Sequence, residues 1–368
     1  MVFITIDNGG SQIRVINNSE DRELTTYDKN IKILSEQTFR VKEGVNPYDV
    51  IRIVEAPSED YKHLYAVGKG FGMYDGKEVH MNNQKYKSAS LAWYQQMLVI
   101  LATKAMEYAQ KSYEPEVPVD FYLGTLIPAI EHSGDVDCAA EIKCKLAGTY
   151  EVEFPAMPVH NKVKFNLVEN RIGVLPEGAV AITALRNEIT PDDYSLIIDM
   201  GHITTDIIME KGTQMIGHSI ISSPNAGSTL LRLISNNLRQ QGIIITEEEA
   251  VEALKTYKIR QGVKVVDISD AIDRAKHTFV ANYIGPDISS QIEISGVNAP
   301  RVQYVVPVGA VLGCPNPNTG KFDILDDIIT TCALQNAEVK LLNQDLRLVN
   351  VSKTADFIDA VRKADTEQ

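Results

Sequence analysis

The residues Leu196 to Met209 read LIIDMGHITTDIIM. Two apolar runs rich in β-branched residues flank a short polar turn that contains glycine, and this pattern predicts a β-hairpin. The turn presents an acid, backbone N–H groups and two hydroxyls at one place. Such groups suit a triphosphate with its magnesium, because N–H groups and hydroxyls hold phosphate while a carboxylate holds metal-bound waters. The alternative interpretation is an ordinary hairpin with a polar tip.

A second stretch of the same kind opens the chain. Residues 3–6 (FITI) lead into DNGGSQ at 7–12, and IRVI at 13–16 leads away. Two such turns in one chain suggest two similar domains, each contributing one hairpin to a shared phosphate. We therefore expect an α/β protein with two domains, which 368 residues are enough to form.

Composition narrows the class of protein. The chain is 44% apolar and 23% charged, as soluble globular proteins are. Its net charge of −13 argues against direct nucleic-acid binding, but it does not forbid a basic protein partner. The four cysteines show no zinc-binding spacing. No apolar run is long enough to span a bilayer, and the N-terminal VFITID leaves no room for a signal peptide. We expect a cytoplasmic protein without membrane contact.

Several local elements are also predicted. Residues 17–29 are polar and predict a loop, and 90–112 form the clearest helical pattern. The glycines within 68–72 follow G-x-G-x-G without a Walker lysine and predict a turn. Towards the end we expect a strand pair within 339–351 and a last helix at 355–364.

The two hairpins resemble the phosphate-1 and phosphate-2 loops of the actin, Hsp70 and sugar-kinase superfamily, and the match is best with bacterial actin-like plasmid-segregation proteins of the ParM type. Other stretches resemble family segments in the same order: YKHLYAVGKGF at 61–71, FYLGTLIP at 121–128, VLPEGAVA at 174–181 and YVVPVGAVLG at 304–313.

This resemblance implies the actin-like two-domain ATPase fold, in which a nucleotide cleft lies between two similar, ribonuclease H-like domains. The first domain would span 1–186, with the C-terminal helix 352–368 packing back on it. The second domain would span 187–351.

The resemblance also implies the roles of the hairpin residues. Asp7 and Asp199 would bind Mg²⁺ through water molecules, and Asp199 is in addition a candidate catalytic residue. Arg14 stands where most relatives have lysine, and its fork can reach two phosphate oxygens. His202 is either a neutral turn residue or a group that approaches the γ-phosphate and makes the site pH-sensitive. The remaining phosphate-binding candidates are Gly9, Gly10, Ser11 and Gln12 at the β-phosphate and Gly201, Thr204 and Thr205 at the γ-phosphate.

Candidates outside the hairpins follow from the same resemblance. Glu177 would orient or deprotonate the attacking water, although an acid at a helix start also favours the helix dipole. Gly227 matches a family glycine beside the nucleotide, or is a plain loop-to-helix junction. Lys255 falls where actins place a lysine against the adenosine, or is a solvated helix residue. Gly309 and Ala310 belong to the adenosine loop, in which proline and valine here replace the leading glycines.

The function implied is that of an ATP-binding and ATP-hydrolysing protein that polymerises into dynamic filaments. These filaments segregate plasmid DNA through a ParR-like adaptor protein bound to centromeric plasmid DNA. The cofactors implied are ATP and Mg²⁺, and the altered adenosine loop leaves GTP open. A small-molecule kinase and a non-polymerising regulatory ATPase of the same superfamily are the alternatives.

Overall fold

The chain divides into two compact units. The computed structural model describes residues 2–9, 12–17, 22–80, 86–112, 117–134, 137–342 and 345–366, apart from the side chains of 217–219 and 365–366. The first unit comprises Met1–Leu175 and Thr354–Gln368, and the second comprises Pro176–Lys353. The sequence places the domain boundary after residue 186 instead, and that assignment stays a prediction.

The first unit is built on one ten-stranded sheet. Its strands are β1 Val2–Asn8, β2 Ile13–Asn17, β3 Leu24–Tyr27, β4 Ile31–Leu34, β5 Val50–Glu55, β6 Leu64–Ala66, β7 Lys77–Val79, β8 Val119–Ile127, β9 Gly148–Glu153 and β10 Lys162–Pro176. Its helices are α1 Gly68–Met73, α2 Leu91–Lys111, α3 Ala129–His132 and α4 Cys138–Leu146. The strand order is β3-β2-β1-β8-β10-β9-β5-β6-β4-β7.

The second unit contains a five-stranded sheet and a separate hairpin. Its strands are β11 Tyr194–Met200, β12 Thr205–Lys211, β13 Gln214–Ser223, β14 Lys258–Gln261, β15 Lys264–Asp267, β16 Val302–Val308 and β17 Glu338–Val339. The remaining helices are α5 Gly227–Gln240, α6 Glu247–Thr256, α7 Ser269–Phe279, α8 Gly285–Ile294, α9 Asp323–Thr331 and α10 Val349–Thr366. The sheet order is β13-β12-β11-β16-β17, while β14 and β15 pair only with each other.

The two sheets repeat the same four-strand arrangement. In the first unit β1 is antiparallel to β2 and parallel to β8. In the second unit β11 is antiparallel to β12 and parallel to β16. The orders β3-β2-β1-β8 and β13-β12-β11-β16 therefore correspond strand by strand. This repetition agrees with the expectation of two similar α/β domains.

Helices cover both faces of the first sheet. The predicted helix at 90–112 is confirmed as α2, whose N-terminus is capped by Ser90 Oγ accepting from Trp93 N at 3.3 Å. Trp93 and Met97 are fully buried in the core that α2 shares with the sheet. On the opposite face, Ile358 of α10 packs with Phe3 of β1. Hydrophobic burial on both faces explains why the central strands are apolar almost throughout.

Two local predictions in the first unit are wrong. The predicted loop at 17–29 contains β3, which pairs with β2. The glycine-rich stretch forms α1 rather than a turn, because Asp49 is buried against it and Asp49 Oδ2 accepts from Gly70 N at 3.1 Å. A Cβ atom on Gly70 would lie 2.8 Å from Asp49 O, so this contact needs glycine. Burial of the acid raises the pKa of Asp49.

The predicted strand pair at 339–351 is also wrong. In the part of this stretch that the structure describes, Glu338–Val339 is the one strand, and α10 begins at Val349, six residues before the predicted start at 355. Val349 and Val351 are β-branched and favour strand by propensity, but both are completely buried in α10. Tertiary burial outweighs propensity here.

A buried acid lies in the second sheet. Glu210 of β12 is 1% exposed and lies opposite Ser195 of β11, which is fully buried. Glu210 Oε2 and Ser195 Oγ have no hydrogen-bond partner among the described residues. Burial raises the pKa of Glu210 to about 8. The carboxyl group is therefore protonated in the folded protein at neutral pH.

This shifted pKa predicts that stability falls as pH rises. Between the ordinary carboxyl pKa and about 8, the unfolded chain releases the Glu210 proton while the folded chain keeps it. The free energy of unfolding should decline across that window by on the order of 4 kcal/mol. Glu210→Gln should remove this decline and leave stability near pH 4 little changed. Denaturant unfolding at several pH values measures it, with the exposed Glu55→Gln as control. An equal slope in wild type and Glu210→Gln would contradict the assignment.

Candidate functional site

The first hairpin places an acid beside a base. Asp7 and Arg14 are cross-strand partners in the β1–β2 pair. Arg14 Nη1 lies 3.2 Å from Asp7 Oδ2, and the Asp7 side chain is almost completely buried. The register of the strands thus brings the predicted metal-side acid and the predicted phosphate-side cation together.

The turn that follows β1 is held by hydrogen bonds from the side chains of Lys29 and Gln96. Lys29 Nζ donates to Gly9 O. Gln96 Nε2 of α2 donates to Lys29 O at 3.0 Å, and Gln96 Oε1 accepts from Asn8 Nδ2 at 3.0 Å. Gln12 is exposed beyond the turn. Gly10 and Ser11 lie outside the described residues, so their predicted roles stay predictions.

The second hairpin closes a tight polar turn. Asp199 of β11 is opposite Asp206 of β12 in the pairing register. Gly201 N donates to Thr204 O at 3.0 Å and so closes the turn between the strands. Asp199, Gly201 and His202 are partly exposed, and Thr204 is exposed. The predicted hairpin at 196–209 is confirmed, and its polar groups reach the surface of the second unit.

Two predicted phosphate-binding side chains in this turn have protein partners. Thr205 is fully buried, and its hydroxyl donates to Asn225 O at 2.8 Å. His202 Nε2 lies 3.0 Å from Glu247 Oε1 in the first turn of α6. Of the hydroxyls that the sequence assigns to phosphate, the Thr204 side chain is therefore the exposed one. The predicted phosphate roles of Thr205 and His202 would require these contacts to be shared or exchanged.

Glycine at the start of α5 allows a close approach to the same turn. Gly227 N donates to Gly201 O at 3.1 Å, and Ser228 N donates to His202 O at 2.8 Å. A Cβ atom on Gly227 would lie 2.9 Å from Val311 Cγ2 and 3.2 Å from Gly201 O. The described contacts of this glycine are thus with the turn and with Val311.

The predicted adenosine loop packs on the end of β11. Gly309 has a φ of 96°, and a Cβ atom there would lie 2.3 Å from Met200 O. Only glycine permits this backbone contact. Gly309 N also donates to Leu346 O at 3.0 Å. Ala310 follows and is exposed.

An asparagine that the sequence analysis did not select joins two predicted catalytic elements. Gly178 N, next to Glu177, donates to Asn350 Oδ1 at 3.0 Å, and Asn350 Nδ2 donates to Asp199 Oδ2 at 2.6 Å. Asn350 is 8% exposed. No sequence signal pointed to it, because it lies about 150 residues from Asp199 within the stretch predicted as strand.

The segment carrying Glu177 differs in detail from the prediction. β10 ends at Pro176, and the helix that follows is a 3-10 helix, Ala179–Leu185. Gly178 adopts a φ of 71°, and a Cβ atom on it would lie 3.1 Å from Asp199 Cβ. Glu177 itself is partly exposed. The second unit therefore brings the Glu177 turn, Asp199, Gly201, Gly227 and Gly309 into one continuous cluster.

Lys255 has a different environment from this cluster. It lies exposed near the end of α6, with Nζ 3.9 Å from Glu252 Oε2. The helix begins with a capping box, in which Glu249 N donates to Thr246 Oγ1 at 3.2 Å. The adenosine role of Lys255 stays a prediction.

Asp7 and Asp199 are the predicted metal-binding acids, and carboxylates of this kind can bind a metal ion through its water ligands. In the described part of the chain, no three His, Cys, Asp or Glu side chains are grouped closely enough to hold an ion directly. Instead, Asp7 and Asp199 each have one carboxylate oxygen fixed by a neighbour, Arg14 and Asn350 respectively. Mg²⁺ keeps several waters and is commonly bound through one or two carboxylates. The carboxylate in each turn is therefore of the kind that holds metal-bound waters, and the Mg²⁺ roles of Asp7 and Asp199 stay predictions.

No described helix combines the length and apolarity required to cross a membrane. No protein-family model matches the chain, and a search of curated proteins gave no match.

The fold is similar to solved structures of actin homologues. The archaeal actin homologue Ta0583 in complex with ADP is 18% identical, with a TM-score of 0.67 over 98% of this chain and 100% of that chain. The apo ParM protein of psk41 is 13% identical, with a TM-score of 0.67 over 100% and 99% of the two chains. A 15-stranded ParM filament from Clostridium botulinum contains a chain that is 15% identical, with a TM-score of 0.59 over 98% and 99%.

These similarities extend over essentially the full length of both chains. They confirm the mixed α/β architecture and the fold that the two hairpins predicted. The chain has the actin-like fold shared by ParM proteins and archaeal actin homologues.

Proposed function

We propose that this protein is an actin-like ATPase that binds ATP with Mg²⁺ and assembles into filaments. The observation that carries the proposal is the repeated hairpin, in which each unit ends a buried central strand in an acid followed by a glycine-bearing turn. The names of two similar structures support it: Ta0583 was solved with ADP, and a ParM from Clostridium botulinum forms a filament.

In this proposal the first hairpin binds the β-phosphate. The N–H groups after Asp7 would donate to the phosphate oxygens, and Arg14 would supply a permanent positive charge. Lys29 and Gln96 would keep the turn in place through Gly9 and Asn8. The first unit thus contributes binding and charge neutralisation.

The second hairpin binds the γ-phosphate and prepares the attacking water. The Gly201–Thr204 turn would donate hydrogen bonds, and Asp199 would hold water ligands of the metal. Glu177 would orient the attacking water or accept its proton. Mg²⁺, when bound, neutralises charge that develops on the phosphate oxygens. Positioning and electrostatic stabilisation therefore account for most of the expected rate.

We further propose that the filaments segregate plasmid DNA through a ParR-like adaptor bound to centromeric DNA. With 49 acidic and 36 basic residues, the chain favours a protein adaptor over direct contact with DNA. A cytoplasmic location fits this role.

Nucleotide-dependent assembly tests the proposed function. Purified protein incubated with ATP and Mg²⁺ should show growing light scattering and should pellet, whereas protein with Mg²⁺ alone should not. GTP in parallel reactions measures base preference. Absence of assembly, together with phosphate transfer from ATP to a small metabolite, would contradict the filament and support a kinase.

Glu177→Ala should slow phosphate release by roughly 10²- to 10⁴-fold while leaving assembly intact, because the residue acts on the attacking water. The measurement is phosphate release from preassembled protein. Glu188→Ala is the matched control, since Glu188 is exposed in the same unit and pairs with Lys340. Unchanged turnover in Glu177→Ala would remove this residue from the mechanism.

Asn350→Ala should weaken the response to Mg²⁺ more than it weakens the fold. Loss of the amide releases Asp199 and the Gly178 turn, so the Mg²⁺ concentration for half-maximal ATP hydrolysis should rise roughly 10- to 100-fold. Asn237→Ala is the control, because it removes an asparagine that bonds Ala271 O in the same unit. If both variants keep the wild-type Mg²⁺ dependence, Asn350 does not position the acid.

A further inference from the structure

The second unit carries a small hairpin apart from its main sheet. Among the strands that the structure describes, β14 and β15 pair with each other and with no third strand, and Gln261 lies opposite Lys264 across a two-residue turn. Gly262 at the first turn position has a φ of 61°, as such tight turns require. An isolated two-stranded hairpin is marginally stable in water. Its persistence therefore depends on how its base is anchored.

The base of the hairpin is buried and firmly held. Tyr257, which precedes β14, is 1% exposed, and its carbonyl accepts from Ile268 N at 3.0 Å after β15. Lys276 Nζ donates to the Tyr257 hydroxyl at 2.5 Å and lies 3.4 Å from Asp323 Oδ2. Ile259 adds an apolar anchor at 8% exposure. The hairpin is thus presented from a fixed base.

The far end of the hairpin exposes apolar side chains. Val263 in the turn is 97% exposed, and Val265 is 62% exposed. Turn positions usually hold glycine, asparagine, aspartate or serine, so valine there has no local conformational advantage. A single exposed apolar residue is ordinary, but two exposed valines at the end of one hairpin form a small apolar patch of the kind that binds another protein.

The charge of the hairpin is opposite to that of the chain. Lys258, Arg260 and Lys264 are exposed on it, with Asp267 as its single acid. The chain as a whole has a net charge of −13. A basic, valine-tipped hairpin is therefore opposite in charge to a second copy of this chain taken as a whole, and the two attract each other.

We propose that the β14–β15 hairpin is the contact by which one copy of this chain binds the next copy in the filament. This inference rests on the proposed function. The contact is heterologous, since the basic hairpin meets a surface of the neighbour other than the neighbour's own hairpin, and such a contact produces an open filament when its rotation does not close a ring. Assembly covers Val263 and Val265, and the cations steer the approach.

Val263→Asp tests the proposal, because a side chain that is 97% exposed can be changed without disturbing the core. The critical concentration for ATP-dependent assembly, measured by pelleting, should rise at least about tenfold, which corresponds to about 1.4 kcal/mol per contact. Binding of a fluorescent ATP analogue should remain as in wild type. Ile244→Asp, at an 81% exposed apolar residue of the same unit, is the matched control and should assemble normally.

Charge provides a second, independent readout. Lys264→Glu should also raise the critical concentration, and raising the salt from about 0.05 M to about 0.3 M should raise it for wild type more than for Lys264→Glu. Equal salt responses would remove the electrostatic part of the proposal.

The outcomes separate this inference from the proposed function. If wild type assembles and Val263→Asp assembles at the same critical concentration, the hairpin contact is wrong and the function stands. If wild type binds nucleotide but never assembles, the filament proposal and the hairpin contact fail together. If Val263→Asp assembles normally but loses binding to phosphatidylserine vesicles, the hairpin belongs to a membrane contact and the proposal is overturned.

Discussion

The second unit depends on the close approach of three chain segments to one β-turn. Gly178, Gly227 and Gly309 come from distant parts of the sequence, and each lets its backbone contact the end of the β11–β12 hairpin. A Cβ atom at any of the three would come within 3.2 Å of another atom. Where the neighbouring atom belongs to the backbone, as at Met200 beside Gly309, replacing the glycine by a larger residue would force the main chain to move. Close packing of these three segments thus helps to hold the turn, together with the side chains of Asn350 and Thr205.

The corresponding turn of the first unit is held differently. Its contacts come from the side chains of Lys29 and Gln96, which reach the turn from a loop and from α2. Arg14 fixes the acid from the neighbouring strand. The two hairpins therefore share strand order and the position of the acid, while the means of holding each turn differ. The first turn is held by side chains, whereas the second combines side-chain contacts with close main-chain contacts.

Buried polar groups of the second unit differ in their effect on the free energy of unfolding. Glu210 lies on β12, the strand that leaves the turn, and the burial of its Oε2, which has no hydrogen-bond partner among the described residues, opposes folding as pH rises. Asn350, in contrast, is a buried polar side chain that stabilises the fold. Its amide oxygen accepts from Gly178 N and its amide nitrogen donates to Asp199. The hairpin β14–β15 adds a third arrangement, a buried polar base that supports an apolar, exposed tip.

The sequence by itself determined both hairpins and the long helix α2, and its resemblance to the actin superfamily implied the actin-like fold. The hairpins and the helix follow from local patterns of β-branched and apolar residues, which the tertiary contacts at these places reinforce. Only the tertiary structure decided that Asn350 joins Asp199 to the Glu177 turn, that Thr205 bonds Asn225 O, and that α10 begins at Val349. Each of these depends on contacts between segments far apart in the chain, where burial and hydrogen bonding outweigh local preference, and no local spacing of residues encodes them.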